Sequence, residues 1–393
     1  MDKQNYAAQA VESVRHGKVA FAKFLSANDT GKTGGHQAGI YISKKAISLI
    51  FDAPFQRGEN HDRWARIRWQ NDILAESRFI YYGAKTRDEY RITNCATPDF
   101  NPLASENTGA ILVLVKKDAE DYEGWILNTD EEIEDFLAAL DMNPAELGGL
   151  IGSVPAEPES IKEKAFAEFA AAIGKGFPET AVMAETARQI HEQAYDHIEN
   201  IIKAPDKELL EWVATEYELF RYIESAQYGG LIRHGFSDMQ QFISVANTIL
   251  NRRKSRAGKS FENHLEAIFK GNHLTFDTQV ITEERKKPDF VFPGGIQYHN
   301  PAFDADKLIV LGAKTTCKDR WRQILNEADR VRRRKKYLAT LQQGVSAQQM
   351  EEMHAEQVVL VVPSAYITKY PVEWRSSIMS LRTFIEFVKE QAS

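Results

Sequence analysis

The stretches Lys287-Pro-Asp-Phe290 and Leu311-Gly-Ala-Lys-Thr-Thr-Cys-Lys-Asp-Arg-Trp321, followed by Glu327, decide the fold of this chain. Asp289 begins one predicted strand and Lys314 ends the next, because short apolar runs bounded by turn residues are typical of strands. Carboxylates hold Mg²⁺, and a lysine beside the attacking water assists hydrolysis of a phosphodiester. The pattern therefore predicts metal-dependent phosphodiester chemistry, with Asp289, Lys314 and Glu327 as its candidate residues.

Glu327 enters this set because the position two residues before the lysine, which is commonly acidic in such sites, is Gly312 here. We predict a helix over residues 317–343, in which positions 320, 324, 327 and 331 form one stripe at helical spacing. This stripe would bring Glu327 back over the strand ends. Pro-Asp followed by a distant lysine is common in unrelated proteins, so the pattern alone does not separate a nuclease from a chance combination.

The C-terminal part of the chain has the apolar periodicity of a sheet flanked by helices. The predicted order of helix, three strands, helix and strand resembles the core of PD-(D/E)xK nucleases, a central mixed sheet with helices on its faces. The class predicted for the whole chain is α/β (α+β overall). Helices are predicted at residues 180–203, 206–226, 237–251, 260–270, 317–343 and 374–391, and strands at 277–282, 289–292, 308–314 and 357–362.

The N-terminal part is predicted to be a small β-barrel or sandwich, since many short strand-like runs are separated by turn residues. A helix is predicted over residues 5–25, and Thr129-Asp-Glu-Glu132 has the capping-box spacing that opens another helix. We interpret the acidic run at 130–135 as the solvated start of that helix, with an inhibitory contact to a basic cleft as the alternative. Strands are predicted at residues 39–42, 47–51, 64–69, 80–82, 91–93 and 110–115.

The length of 393 residues suits two domains, and a segment rich in Gly, Pro, Ala and Glu lies between the two patterns. We predict one domain at residues 1–155 and a second at 178–393. The linker at 156–177 is expected to contain a helix near 161–174.

Composition limits the possible partners. The net charge is −7, so any contact with nucleic acid has to come from local basic patches, and Arg252–Lys259 and Arg330–Lys336 are predicted to contact phosphates. Two cysteines exclude a disulfide scaffold or a zinc finger. We expect no membrane segment and a cytoplasmic location, because no run of about 18 apolar residues occurs. Histidines at 191, 197, 234, 264 and 273 show no metal-ligand spacing and are treated as structural or surface residues.

Residues 311–329 and 251–260 resemble the catalytic and recognition segments of EcoRII-type restriction endonucleases, a type II family. Three further stretches are similar to the effector domain of that family: residues 25–36, 85–93 and 106–110. The resemblance implies a Mg²⁺-dependent nuclease acting on double-stranded DNA. It also implies an active site of Asp289, Lys314, Glu327 and Glu262, with Asp289 and Glu327 as metal ligands.

The family resemblance further implies that Lys318, Asp319 and Arg320 read a CC…GG core. The chemistry agrees, because Lys and Arg donate to guanine O6 and N7 while Asp accepts from the cytosine amino group. Tyr217 matches an aromatic member of a pocket for a flipped central base. Val213 stands where a basic companion is expected, which leaves the central base pair open between A·T and any pair.

The N-terminal domain is similar to a B3-like β-pseudobarrel that binds a second copy of the DNA site and regulates cleavage. After Arg91-Ile-Thr93 the chain departs from the family, reading Asn-Cys-Ala in place of a basic and aromatic stretch. A palindromic core also favours a homodimer. The residues that match the family's effector site are His36, Tyr41, Lys85, Arg87, Glu89 and Arg91.

Two alternatives stay open from the residues alone. A DNA-binding regulator with an inactive nuclease core would not need all three of Asp289, Lys314 and Glu327. A repair-type nuclease with the same core fold would need neither the reading cluster nor a second DNA-binding domain.

Overall fold

The computed structural model describes residues 5–31, 39–84, 87–151, 160–195, 200–331 and 334–392. These residues form one eight-stranded sheet in the N-terminal part of the chain and one six-stranded sheet in the C-terminal part. Helices pack against both sheets, which confirms the predicted mixed class. Within these described ranges, no helix is long and apolar enough to cross a membrane.

The N-terminal sheet curls around an apolar core, and we call residues 5–151 the barrel. Its strands pair in the order β2-β5-β4-β3-β7-β6-β1-β8, antiparallel throughout except for the parallel pair β3–β7. A second apolar cluster lies outside the sheet, under the two helices. The elements are α1 (Ala7–His16), β1 (Val19–Phe24), β2 (Ile40–Ile42), β3 (His61–Trp69), β4 (Ile73–Tyr82), β5 (Glu89–Thr93), β6 (Ile111–Lys116), β7 (Asp121–Leu127), α2 (Asp130–Leu140) and β8 (Gly149–Ile151).

The C-terminal sheet has the order β14-β13-β12-β11-β10-β9, antiparallel from β9 to β11 and parallel from β11 to β14. We call residues 200–392 the nuclease-like core. Its elements and the helices before it are α3 (Ser160–Ile173), α4 (Thr180–Tyr195), α5 (Asn200–Lys203), α6 (Pro205–His234), α7 (Met239–Gly271), β9 (Asp277–Thr278), β10 (Phe290–Phe292), α8 (Gly295–His299), β11 (Ile309–Lys314), β12 (Lys336–Thr340), α9 (Ala347–Ala355), β13 (Val358–Val362), α10 (Ser364–Ile367), β14 (Met379–Ser380) and α11 (Leu381–Ala392).

The helix predicted over residues 317–343 is wrong. The chain instead forms a 3₁₀ helix, Arg320–Asn326, and then the buried strand β12. β12 escaped prediction because its first residue, Lys336, belongs to a basic run and yet is only 2% exposed. The apolar residues of this charged stretch recur at helical spacing, so periodicity alone did not indicate that the chain crosses over to β12, which is parallel to β11.

The helix predicted over residues 5–25 is also wrong in its second half, which is β1. All but the first residue of β1 are buried, with Phe21 in the inner cluster and Phe24 in the outer one. A strand buried on both faces shows no alternation, so periodicity cannot distinguish it from a helix. Residues 44–49 form a 3₁₀ helix where a strand was predicted at 47–51. The two helices predicted at 237–251 and 260–270 are one continuous helix, α7, and the helix predicted from residue 374 begins only at Leu381. Strands β7, β8 and β14 were not predicted.

Helix α2 lies between the barrel and the nuclease-like core, packed against α7. Its predicted capping box is confirmed: the Thr129 hydroxyl accepts from the Glu132 N–H at 3.2 Å, and the Glu132 carboxylate accepts from the Thr129 N–H. The capping box fixes where α2 begins. This start decides which acidic side chains face the core.

The close approach of the 3₁₀ helix to β11 gives a stability prediction. A Cβ added at Gly312 would lie 2.6 Å from Cγ2 of Ile324, so we expect Gly312→Ala to destabilise the chain by about 1–3 kcal/mol. Denaturant unfolding followed by circular dichroism measures this. Gly230→Ala, whose Cβ meets nothing within 4 Å in helix α6, is the matched control and should be neutral or stabilising. Equal midpoints for the two variants would contradict the packing argument.

Candidate active site and nucleic-acid interface

Asp289 directly precedes β10 and is held by donors on both carboxylate oxygens. Oδ2 accepts from the Ala313 N–H at 2.7 Å and from Lys314 Nζ at 3.4 Å, while Oδ1 accepts from Gln279 at 3.2 Å. The side chain is buried, and these three donors hold both of its oxygens in place. β10 and β11 are adjacent and antiparallel, which places the start of one beside the end of the other. The structure thus brings Asp289 and Lys314 together.

Glu327 reaches the same place by a different route from the predicted helical stripe. The 3₁₀ helix packs directly on β11 because Gly312 has no side chain, and Glu327 caps that helix at its C-terminal end. Burial, together with the charge of Asp289, raises the pKa of Glu327 to about 7, and Lys314 acts in the opposite direction. The glycine that breaks the common motif is therefore what admits the segment carrying the replacement acid.

Glu262 approaches the group from α7. Burial raises its pKa, a hydrogen bond of 2.8 Å from Lys259 lowers it, and the charge of Asp289 raises it further. The charges of Asp289 and Lys314 act on both Glu262 and Glu327, so all four predicted active-site residues interact electrostatically.

The donor set fits a divalent cation. Glu327 Oε2 is buried and has no hydrogen-bond partner among the described residues, although an isolated buried carboxylate oxygen is costly. Asp289, Glu327 and Glu262 supply oxygen ligands, which Mg²⁺ prefers. A cation here would compensate the repulsion that raises the pKa of Glu327.

The three predicted reading residues all contact the barrel. Nζ of Lys318 donates to the carbonyls of Glu106 at 3.2 Å and Thr108 at 3.0 Å. The Asp319 carboxylate accepts from the backbone N–H of Asp130 at 3.1 Å. Arg320 forms a bidentate ion pair with another residue of α2, Glu134.

The backbone of the same segment is bound by one carboxylate. Asp130 accepts from the N–H groups of Lys318 at 3.1 Å and Arg320 at 3.0 Å, and from that of Asp319 between them. Asp130 is 2% exposed and Glu132 is 6% exposed. The prediction of a solvated helix start is therefore wrong for Asp130 and Glu132, whereas Glu131 is exposed. Capping-box spacing identified the helix start but carries no signal for its long-range partner.

A cavity of about 520 Å³ separates α2 from the candidate active site. Glu134 and Asp141 line one wall, and Lys314, Glu262 and Tyr217 line the other. Glu134 of α2 thus lines the same cavity as the candidate active-site residues Lys314 and Glu262.

Tyr217 is buried beside the guanidinium group of Arg256, a residue of the run that was predicted to contact phosphates. The carbon Cζ of Arg256 lies 4.2 Å from the centre of the Tyr217 ring and 4.1 Å from that of Phe220. Glu216 holds Arg256 with an ion pair of 3.1 Å. Arg256 thus reaches the Tyr217 ring from α7, a contact that only the packing of α6 against α7 reveals.

Several residues of the two basic runs pair within the chain, and Arg332 and Arg333 lie outside the described residues, so the predicted contact with phosphate stays a prediction. Arg253 pairs with Glu224, and Lys254 pairs with Asp135 of α2. Arg330 donates to backbone carbonyls, including that of Phe303 at 2.7 Å.

The predicted effector residues form a smaller group on the barrel. Tyr41 and Arg91 are direct partners in the pairing of β2 with β5, and Arg91 lies 3.3 Å from Glu89. Tyr41 is 40% exposed, and the Arg87 guanidinium lies 5.3 Å from the ring centre of Tyr82. Two further predicted members, His36 and Lys85, lie outside the described residues.

Family comparisons match both halves of the chain. A model described as "EcoRII C terminal" matches residues 220–385, and one described as "Restriction endonuclease EcoRII, N-terminal" matches residues 14–147.

Individual relatives agree with these matches. The chain is 38% identical to the type II restriction enzyme EcoRII of Escherichia coli over 394 residues, covering 93% of this chain and 92% of the relative. It is 32% identical to the type II restriction enzyme SsoII of Shigella sonnei over 127 residues, covering 30% and 40%. Among solved structures, metal-depleted Ecl18kI with uncleaved DNA (20% identity, TM-score 0.43, 60% and 85% coverage) and a PspGI–substrate DNA complex (16%, 0.45, 55% and 93%) are similar.

The raised pKa of Glu327 gives a pH prediction for the metal-free chain. Its folded-state pKa of about 7 exceeds the ordinary 4.5, so the folded chain binds this proton more tightly than the unfolded chain. The resulting stabilisation is present below about pH 4.5 and is lost as pH rises to about 7. We expect thermal midpoints in a chelator to fall less over this window for Glu327→Gln than for wild type. Parallel pH profiles would contradict the burial argument, and Glu390→Gln on the surface is the control.

Proposed function

This chain belongs to the EcoRII family of type II restriction endonucleases and cleaves DNA, and from this premise we propose which site it cuts and how. The proposed activity is Mg²⁺-dependent hydrolysis of double-stranded DNA at a CC(N or W)GG-type site. One observation carries the proposal: Asp289, Lys314, Glu327 and Glu262 converge from four separate segments at the ends of β10 and β11.

In the proposed mechanism, Asp289 and Glu327 would hold the metal ion, which would supply the positive charge that polarises the phosphate and lowers the pKa of an attacking water. Lys314 lies 3.4 Å from Asp289, so its ammonium group is positioned to orient that water and to offset charge developing on the phosphate. Glu262 completes the acidic set from α7. The Ala313 N–H fixes Asp289 at 2.7 Å, which keeps the carboxylate aligned before substrate arrives.

The proposed sequence reading uses Lys318, Asp319 and Arg320, which begin four residues after Lys314 in the chain. Each good base contact contributes about 1–3 kcal/mol of discrimination. Because the same short segment leads to Glu327, correct reading and the placement of a metal ligand are coupled mechanically.

We propose that α2 inhibits the enzyme by occupying this segment. The carboxylate of Glu134 takes the place of an acceptor for Arg320, the carbonyls of Glu106 and Thr108 do so for Lys318, and a backbone N–H does so for Asp319. Two of these partners accept and one donates, as guanine O6 and N7 and the cytosine amino group would do for the same side chains. DNA and α2 therefore compete for the same side chains.

Release is proposed to come from a second DNA site bound by the barrel. The loop before the effector residues connects to the reading segment through two hydrogen bonds: the Thr30 hydroxyl lies 2.8 Å from that of Thr108, whose carbonyl holds Lys318. In addition, the Ala27 N–H donates to the Lys369 carbonyl of the nuclease-like core at 3.1 Å. Movement of this loop on binding DNA would pull directly on the inhibitory contacts. Tyr41, Arg87, Glu89 and Arg91, with His36 and Lys85, are the proposed effector residues.

The proposed assembly is a cytoplasmic homodimer on a palindromic site. Helices α6 and α7 form a hairpin whose tip exposes apolar side chains, including Ile232 (65%), Met239 (70%) and Phe242 (47%). Burial of such side chains against a symmetry-related copy would remove them from water. In this proposal the effector domain spans 1–155, the linker 156–177 and the catalytic domain 178–393.

Asp289→Ala tests the active site. We expect it to abolish cleavage of plasmids carrying CCNGG sites in Mg²⁺, because it removes a metal ligand and the partner of Lys314, while specific binding in a mobility-shift assay persists. Asp99→Ala, on an exposed carboxylate, should cut like wild type. Full cleavage by Asp289→Ala would overturn the assignment.

Glu134→Ala tests the inhibition. Removing the partner of Arg320 should raise the cleavage rate on a single-site plasmid several-fold, since an exposed or half-buried ion pair contributes up to about 1 kcal/mol. The rate with two sites should change less. Glu131→Ala, one exposed acid on the same helix, is the control. If both variants keep the wild-type ratio of single-site to two-site rates, α2 does not restrain the enzyme.

A further inference from the structure

A second cluster of metal-ligating side chains lies away from the active site, between α4 and α6. His191 is near the C-terminal end of α4, and Glu208 and Glu211 lie in the first turns of α6. The spacing of the two glutamates places them on one face of the helix. One ligand atom from each residue lies within 4.8 Å of the other two.

The distances from His191 to the two carboxylates are longer than those of good hydrogen bonds and match the separation of two ligands around one ion. Nε2 of His191 lies 3.4 Å from Glu208 Oε1 and 3.5 Å from Glu211 Oε2. Hydrogen bonds from nitrogen to oxygen are most often about 2.9–3.0 Å. Two ligands held about 2.0–2.1 Å from a tetrahedral ion are separated by roughly 3.4 Å.

Surrounding groups orient the donors toward a common point. The Thr215 hydroxyl lies 3.4 Å from Nδ1 of His191, so the other ring nitrogen faces the carboxylates. Lys207 pairs at 3.3 Å with Oε1 of Glu211, which leaves Oε2 on the histidine side. Partners of this kind commonly fix the ring orientation of metal-bound histidines.

Burial makes the electrostatic argument stronger. The side chains of His191 and Glu208 are each 2% exposed, and that of Glu211 is 33% exposed. The Lys207 ammonium offsets part of the charge of Glu211, and further positive charge would stabilise the buried Glu208 carboxylate beside His191. A divalent cation supplies that charge and leaves the exposed side of Glu211 for a water ligand.

We propose that His191, Glu208 and Glu211 bind a structural divalent transition-metal ion of the Zn²⁺ class. One nitrogen and two oxygen ligands with room for water suit Zn²⁺, while a hard cation such as Mg²⁺ prefers oxygen alone. The ion joins α4 to α6, which leads into the nuclease-like core. Sequence reasoning missed the site because its ligands come from two helices with no motif spacing.

The test uses full-length, untagged chain in the Asp289→Ala background, which weakens binding at the active site. After chelator treatment, Co²⁺ is titrated while bound metal is counted and the visible absorption of tetrahedral Co²⁺ is recorded. We expect one Co²⁺ per chain, displaced by Zn²⁺ and accompanied by a higher thermal midpoint. Glu211→Gln should weaken binding at least tenfold, and Glu208→Gln should abolish the absorption.

Glu192→Gln, an exposed neighbour of His191 on α4, is the matched control and should bind Co²⁺ like its parent. Glu211 is partly exposed, so Glu211→Gln is expected to fold even if Glu208→Gln does not. The proposal is overturned if the parent binds no Co²⁺, or if folded Glu211→Gln binds it as tightly as the control. The first result would identify the cluster as a histidine cation held between two carboxylates.

Discussion

The carboxylate of Asp130 is the interaction on which the arrangement of this molecule depends. It belongs to the barrel, yet it accepts hydrogen bonds from three consecutive N–H groups, residues 318–320, at the start of the 3₁₀ helix in the nuclease-like core. A helix start exposes N–H groups without internal partners and attracts negative charge. The barrel thus caps a helix of the nuclease-like core, and the residue that caps the other end of that helix is Glu327, a proposed metal ligand.

The contact is reciprocal, because the carboxylates of Asp130 and Asp319 each accept a hydrogen bond from the backbone N–H of the other residue. Asp319 accepts from the N–H of Asp130, while the capping box of Thr129 and Glu132 orders the first turn of α2. The same side chains in the core are those proposed to read DNA. In the proposed function, the acidic helix takes the place of nucleic acid in charge and in hydrogen-bonding pattern, although the whole chain carries a net charge of only −7.

Patterns within short stretches of sequence correctly predicted several individual strands and one helix start. The Asp289 strand, the Lys314 strand, the buried strand β13 and the start of α2 followed from apolar runs and capping spacing. Periodicity failed for β1, which is buried on both faces, and for β12, which begins within a basic run. Glu327 was identified as a candidate, but the route that brings it to the site depends on Gly312 and on packing that no periodicity encodes. The contact of α2 with residues 318–320 and the position of Arg256 beside Tyr217 also depend on residues far apart in the chain, so local patterns did not predict them.

Amide hydrogen exchange at residues 318–320, compared between DNA-free wild type and Asp130→Ala, tests the central claim most directly. The account predicts slow exchange in wild type and in the Glu131→Ala control, and fast exchange in Asp130→Ala, because the acceptor for these N–H groups is lost. Addition of a DNA duplex that only the barrel can bind should speed exchange in wild type. Equally fast exchange in all three DNA-free proteins would show that the barrel does not cap the reading segment, and would contradict the account.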